Sequence, residues 1–332
     1  MTYIEAIKEG FRQVHKNWQL ILMRLIGAVL NCLGFFVIVG VPLTAAIIML
    51  GISIEEITRI RELLDTIKDP TEIIKNYLSI TFIIVLSLTV YLLFAYSVWI
   101  YVFGASAGVL GNSIKDASSR FSFGMFMSEG KRLFFPITGY TILISFIFLG
   151  IALLLSMLGG IITTVSESFI QSETTFGLFL RVLFALTFLT LGLLITFALF
   201  TIMIQGVSVL VFDRDGVITA LKKAYRFLNS HPSAIYLYGI VYSGYVGVHI
   251  LLVVFGYPLK FMPEIGTLLS LPYQLISYIV RIYFFLVALA SALVYYRHTT
   301  SGDSTLRSDT SEEAPLQEPP PLQSDESRQA LY

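Results

Sequence analysis

Six apolar runs divide this chain, at about 25–50, 78–108, 136–164, 178–212, 234–256 and 275–296. Each is long enough to cross the ~30 Å hydrocarbon core of a bilayer, which takes about 20 residues of helix. In hydrocarbon every backbone N–H and C=O must be satisfied within its own segment, so such runs fold as helices. Several are longer than the bilayer needs, which predicts tilt or extension beyond the lipid. Pro42 is predicted to bend the first run, because proline removes a helix hydrogen bond.

The composition agrees. Apolar types make up 56% of the residues and charged types 13%, against roughly 25% in an ordinary soluble domain. With 22 basic and 22 acidic residues the chain has no net charge. Together these exclude a soluble globular enzyme, a disordered chain and a nucleic-acid binder with a basic face. Cys32 is the single cysteine and lies inside the first run, so neither a disulfide within the chain nor a metal cluster is expected. The polar start, residues 1–17, is too long for a signal-peptide n-region and mixes Glu5 and Glu9 with its basic residues, so no cleaved leader is expected.

Orientation follows from lysine and arginine. Lys8, Arg12, Lys16 and Arg24, then Lys115, Arg120, Lys131 and Arg132, then Arg214, Lys222, Lys223 and Arg226, and finally Arg297 all fall on one side of six spans. The other side carries fewer basic residues, and its first loop is rich in acids, among them Glu55, Glu56, Glu62, Asp65, Asp69 and Glu72. The expectation is a cytoplasmic-membrane protein with both termini in the cytoplasm. Within that first loop Ser53 and Glu56 form a capping-box pattern, and Ile54, Ile57, Ile60, Leu64 and Ile67 repeat at helical spacing, which predicts a helix over 52–77. Residues 298–332 hold seven acidic and two basic residues and the run Pro319-Pro320-Pro321, which reads as a disordered cytoplasmic tail.

An internal repeat carries more information. Ala6-Ile7-Lys8-Glu9-Gly10-Phe11-Arg12 is echoed by Ala220-Leu221-Lys222-Lys223-Ala224-Tyr225-Arg226, and its second half by Glu129-Gly130-Lys131-Arg132. Each copy precedes a pair of spans, with Trp18, Pro136 or Pro232 marking where the first span of the pair starts. The predicted fold is all-α: a membrane domain over 1–297, built from units of amphipathic helix plus two spans at about 1–111, 112–212 and 213–297. Ile4, Ile7, Phe11 and Val14 fall on one face of the first amphipathic helix, and Val217, Leu221, Ala224 and Leu228 on one face of the third, which predicts helices lying in the membrane interface. The small residue two places before each arginine, Gly10, Gly130 or Ala224, leaves room for close approach of another helix. The basic residues Lys8, Arg12, Lys131, Arg132, Lys222, Lys223 and Arg226 are candidate contacts for anionic headgroups, each worth about 1 kcal/mol near such a surface. The bland alternative is that these helices only orient the spans.

The repeat resembles the YciC-like membrane proteins and the membrane domains fused to some glycerophosphodiester phosphodiesterases, in which a short helix precedes each span pair. Asp215-Gly216-Val217-Ile218-Thr219-Ala220-Leu221-Lys222-Lys223-Ala224 is the stretch that carries the likeness. The resemblance implies an integral cytoplasmic-membrane protein. The phosphodiesterase catalytic domain has no counterpart in this sequence, so no enzymatic role carries over.

Groups with chemistry are few. Gly104-Ala105-Ser106-Ala107-Gly108 matches a nucleophile elbow in letters, but it ends an apolar run rather than turning from strand to helix, and reads as close helix packing. The same small-residue spacing in Ala152, Ser156 and Gly160, and in Gly239, Ser243 and Gly247, predicts further helix contacts. No Asp or Glu falls inside a predicted span, which argues against carboxylate-coupled transport. His249, Gln205, Asn31 and Arg281 are the intramembrane polar candidates. Hydrogen bonds between helices account for the first three, and Arg281, like Arg24 and Arg181, reads as an interfacial anchor that snorkels. Asp215 is expected to cap the helix after it. No cofactor or metal is expected, and the partners implied are membrane lipids and other membrane proteins. The leading function is a non-enzymatic, lipid-associated scaffold or interaction module; the alternative is a transporter or channel for a small, hydrophobic molecule, which would gather Asn31, Gln205 and His249 in one polar cavity.

Overall fold

The computed structural model describes residues 2–49, 78–170, 175–258 and 263–312. The helix expected over 52–77 and residues 313–332 of the expected tail lie outside the described residues. In chain order the elements are α1 (Tyr3–Lys16), α2 (Gln19–Phe35), a π-helical turn (Phe36–Gly40), α3 (Val41–Met49), α4 (Leu78–Lys115), α5 (Phe123–Ile170), α6 (Thr175–Phe212), α7 (Val217–Ser230), α8 (Ser233–Gly256) and α9 (Pro263–Glu312). Six segments are long and apolar enough to cross a membrane: Gln19–Ala46, Phe82–Lys115, Phe123–Gly160, Val182–Phe212, Ser233–Gly256 and Leu269–Ser301. They coincide with the six apolar runs of the sequence. The last helix continues to Glu312, past the domain boundary placed at 297.

The first span shows what Pro42 does. Proline lacks an N–H and its ring crowds the carbonyl four residues back. The helix widens just before it, so that the Val41 N–H reaches back to the Phe36 carbonyl. A π turn thus absorbs the misfit inside one continuous span.

Burial is uneven along the spans. Buried side chains gather at 100–110 of α4, 126–144 of α5, 204–211 of α6 and 282–296 of α9, together with α1, α7 and the start of α8. The opposite halves present large apolar side chains outward, such as Phe82, Leu93, Phe146, Leu154, Leu186 and Phe255. A bundle immersed in lipid needs no apolar core along its whole length, because lipid tails are as apolar as leucine. The end that holds the core is called here the packed end.

The two short helices lie at that end. Thr2 and Glu5 form a reciprocal capping box at the start of α1. Asn17 closes it: its side-chain amide donates to the Gln13 carbonyl at 2.9 Å and to Ser113 Oγ of α4 at 3.2 Å, and Ser113 donates to Gln13 Oε1 at 2.8 Å. Contacts are handed on in a ring: α1 packs on α9, the first turns of α5 pack on α4, and α7 packs on α6.

The apolar faces are buried in part: Val14 and Ala224 are fully buried, and Ile7, Val217, Leu221 and Leu228 pack against the core half-buried. On α1 the buried stripe is Ala6, Gly10, Gln13 and Val14, while Ile4 is 52% and Phe11 37% exposed. On α7 it is Ala220, Ala224 and Phe227, with Ile218 turned outward. In lipid the bulky residues can face the membrane, and small ones let helix backbones approach. The stripe recurs at the start of α5, where Phe126, Gly130 and Leu133 are buried.

Two expectations about packing fail. Residues 123–135 do not form a separate amphipathic helix before Pro136; α5 runs unbroken through that proline. The first and third copies end on polar residues, Asn17 and His231, which can serve a helix end, whereas Leu133, Phe134 and Phe135 offer no such cap. The small-residue seam proposed in the fifth span is not a close one either. Among the described residues a Cβ on Gly247 meets nothing within 4 Å, and one on Gly239 finds an ordinary contact with Phe197 at 3.9 Å. Tight approaches occur at the packed end, where Gly104 faces Leu133 and Ile137, Gly108 faces Glu129, and Gly10 faces Ser291.

Candidate functional site

The basic residues picked from the sequence gather at the packed end. Lys8, Arg12, Lys131, Lys222, Lys223 and Arg226 are exposed, and Arg132 is half-buried. Several are tied within the protein. Arg12 pairs with Glu9 one turn back at 2.8 Å, and Arg132 pairs with Glu129. Lys223 reaches Asp213 at 2.9 Å and also Asp215, and Asp213 accepts a further bond from the Tyr296 hydroxyl at 3.0 Å. The hydrogen bonds to Asp215 and Asp213 hold the Lys223 amine above its ordinary pKa. Asp215 therefore does not cap α7, as the sequence suggested; Gly216 occupies the N-cap with no side-chain bond, and the turn before it places Arg214 at a φ of 58°.

Two further cations belong to this end and were not among the sequence candidates. Lys115 lies 5.3 Å and Arg297 6.0 Å from the centre of the Phe212 ring, one from α4 and one from α9. Arg132, Arg214 and Arg297 all lie within electrostatic reach of Lys115. The signal was present: Lys115, Arg214 and Arg297 each stand at or just past the packed end of the second span of a pair. The result is a positive platform to which α1, α4, α5, α7 and α9 contribute, with Lys16 anchored beside it on the Ala117 carbonyl at 2.7 Å.

The intramembrane candidates do not come together as one cavity. Gln205 is fully buried and its carbonyl oxygen accepts from the Tyr238 hydroxyl, joining α6 to α8. This is the interhelical bond expected of it. His249 is half-buried, and its Nδ1 has no hydrogen-bond partner. Arg281 is also half-buried, with its Nε unpartnered. Ser106 is buried inside α4 and donates to the Val102 carbonyl at 2.7 Å. Among the described residues no three of His, Cys, Asp and Glu gather to hold a metal ion.

Arg24, expected as an anchor near the inner end of the first span, turns its guanidinium onto aromatic rings. Its guanidinium lies 4.4 Å from the centre of the Phe285 ring and 5.8 Å from that of Phe103, between α2, α9 and α4. Its Nε and Nη2 are buried without a hydrogen-bond partner among the described residues. Arg24 borders a cavity of about 90 Å³ that Asn31, Trp99 and Tyr278 also line.

The fold and its spans define a multi-pass helical membrane protein. No protein-family model, no curated protein and no solved structure matches the chain.

Proposed function

We propose that this protein is a non-enzymatic, lipid-associated scaffold of the cytoplasmic membrane, of the YciC-like type, with both termini in the cytoplasm. The observation that carries the reading is the positive platform. Basic side chains from α1, α4, α5, α7 and α9 all present at one end of the bundle, beside two amphipathic helices that turn Ile4, Ile218 and Tyr225 outward. Amphipathic helices with basic faces seat at an anionic lipid surface, and the cytoplasmic leaflet supplies one.

The reading includes a threefold internal repeat, supported by burial. Ala6, Phe126 and Ala220, then Gly10, Gly130 and Ala224, then Gln13, Leu133 and Phe227 take equivalent places in the three copies, and all nine are buried. Ser106, Ser208 and Ser291 add a mark on the second span of each pair: all are buried and bonded to the carbonyl four residues back. A transporter or channel is the alternative. The cavity at Asn31 favours it, while Gln205 is occupied by Tyr238 and lines none of that cavity.

Native mass spectrometry of protein gently extracted from its own membrane tests the reading. The expected result is retained phospholipid, reduced in number when Lys222, Lys223 and Arg226 become glutamine. Protein without phospholipid, or carrying only a small non-lipid molecule, would overturn it.

A further inference from the structure

We infer that Arg24 anchors the anionic head of a single membrane lipid inside the bundle, with the lipid's chain lying in a groove along α4. The site is separate from the platform cations and uses none of them.

The argument starts from charge. Burying an ionised group without a partner is costly, so buried charges are paired. The six spans contain one carboxylate, Glu129, and Arg132 holds it. Arg24 faces aromatic rings instead, and two of its nitrogens have no acceptor. A guanidinium offers a planar fork of donors that suits a phosphate oxyanion in two-point contact. The cavity beside it, about 90 Å³, has room for about three waters at their share of liquid volume, and therefore for one small oxyanion. Asn31 lines the same cavity, and its Oδ1, an acceptor, is likewise buried and without a donor among the described residues, such as a hydroxyl group of the ligand would supply.

The surroundings select a lipid over a free anion. Asn31 and Trp99 also border a second, larger space of about 640 Å³, whose other walls include Leu92, Leu93, Ala95 and Tyr96. This groove opens on the membrane flank, where Leu92 is 58% and Leu93 64% exposed. The helices run in register: Gly27 meets Val102 and Gly34 meets Phe94, so the groove lies deeper along the span than Arg24. Seven residues of helix separate Arg24 from Asn31, about 10 Å of rise. A charged head, a polar joint and an apolar tail are thus matched in order by Arg24, Asn31 and the Leu92–Leu93 wall. A soluble anion would use only the first of the three.

Trp99 borders both spaces, and Trp18 is the other of the chain's two tryptophans. In a Trp18→Phe background, full-length protein is placed in phosphatidylcholine vesicles with a rising fraction of phosphatidylglycerol brominated in its acyl chains. Bromine quenches tryptophan on contact. The expected result is quenching of Trp99 that saturates at a low mole fraction of the anionic lipid. Arg24→Gln should raise the half-saturating fraction about ten-fold, the scale of one charge-assisted pair; Arg24→Lys should raise it less. Changing Lys222, Lys223 and Arg226 to glutamine should leave it unchanged, which separates this site from the platform. Should Arg24→Gln not fold, Ala95→Phe obstructs the groove with Arg24 intact and should weaken the quenching. The inference is overturned if brominated phosphatidylcholine quenches equally at the same fractions, or if Arg24→Gln gives the parent curve. Unchanged quenching in Ala95→Phe overturns it too, as does relief of the quenching by millimolar inorganic phosphate, which would give the seat to a free anion.

Discussion

Replacing Gly10 with alanine tests how α1 is held. A Cβ at Gly10 would lie 2.9 Å from the backbone nitrogen of Ser291 and 3.1 Å from its Cα, and would press on the Ser291 hydroxyl. The hydroxyl can rotate away; the backbone of α9 cannot. The relief available is for α1 to lift off by a few tenths of an ångström to an ångström, and a gap of ~0.5–1 Å forfeits about a quarter to a half of the dispersion along the seam. Overpacking of this kind costs about 1–3 kcal/mol. Against it, alanine gains about 1 kcal/mol over glycine in a helix. Overpacking should win by about 1 kcal/mol, a roughly five-fold fall in the folded-to-unfolded ratio. Gly247→Ala is the comparison, since a Cβ there meets nothing within 4 Å. It should be neutral or stabilising by up to about 1 kcal/mol. Reversible unfolding in mixed micelles, driven by rising dodecyl sulfate fraction, gives both values. Gly10→Ala as stable as wild type, or less damaging than Gly247→Ala, would refute the reasoning.

Other predictions follow the same logic. Tyr238→Phe leaves the buried Gln205 carbonyl without its donor and should cost about 1–3 kcal/mol, whereas Tyr238→Phe combined with Gln205→Leu should recover much of that; strict additivity in a double-mutant cycle would count against a direct bond. Asn17→Ala removes the buried link from α1 to Ser113 and should cost about 1–3 kcal/mol in the same unfolding assay. For Lys223 the pKa is raised by Asp215 and Asp213, so its contribution to stability is complete below the ordinary lysine value and is lost as pH rises through the raised one. The stability gap between wild type and Lys223→Gln should therefore close at strongly alkaline pH; a gap that persists there would show that charge is not its source.

The spans were legible because hydrocarbon imposes a single solution on long apolar runs. Pro42 was legible as a disturbance, though not as a π turn, because a proline states only which hydrogen bond is missing. The apolar faces of α1 and α7 were legible in part: Val14 and Ala224 enter the core, whereas Ile4 is turned outward, since beside a membrane an apolar side chain can face lipid. Ala6 and Ala220, which apolar spacing does not rank, are fully buried. Gly10 was legible as a place of close approach, two residues before Arg12, and Ser291 fills that place; the same rule promoted Gly247, where a Cβ meets nothing within 4 Å. Small residues permit close approach, but only the tertiary arrangement says where helices meet. The ring contacts of Arg24 were not legible, because distance from a span end measures depth along the axis and says nothing about the sector a side chain enters. The platform was legible only in part. Lys222 and Arg226 stand on a visibly repeated helix, whereas Lys115 and Arg297 become neighbours through Phe212, far away in sequence from either.

The ring of contacts has a consequence for synthesis. α5 settles on α4 and α7 on α6, elements the ribosome has already made. α1 is made first, yet its seat is on α9, around Tyr283, Phe284 and Ser291. Once α4 is made, Asn17 and Gln13 can bond Ser113, but the seat of Gly10 on Ser291 exists only after the last span is inserted. The first helix of the chain is thus tethered at its end early and has its small-residue face covered last.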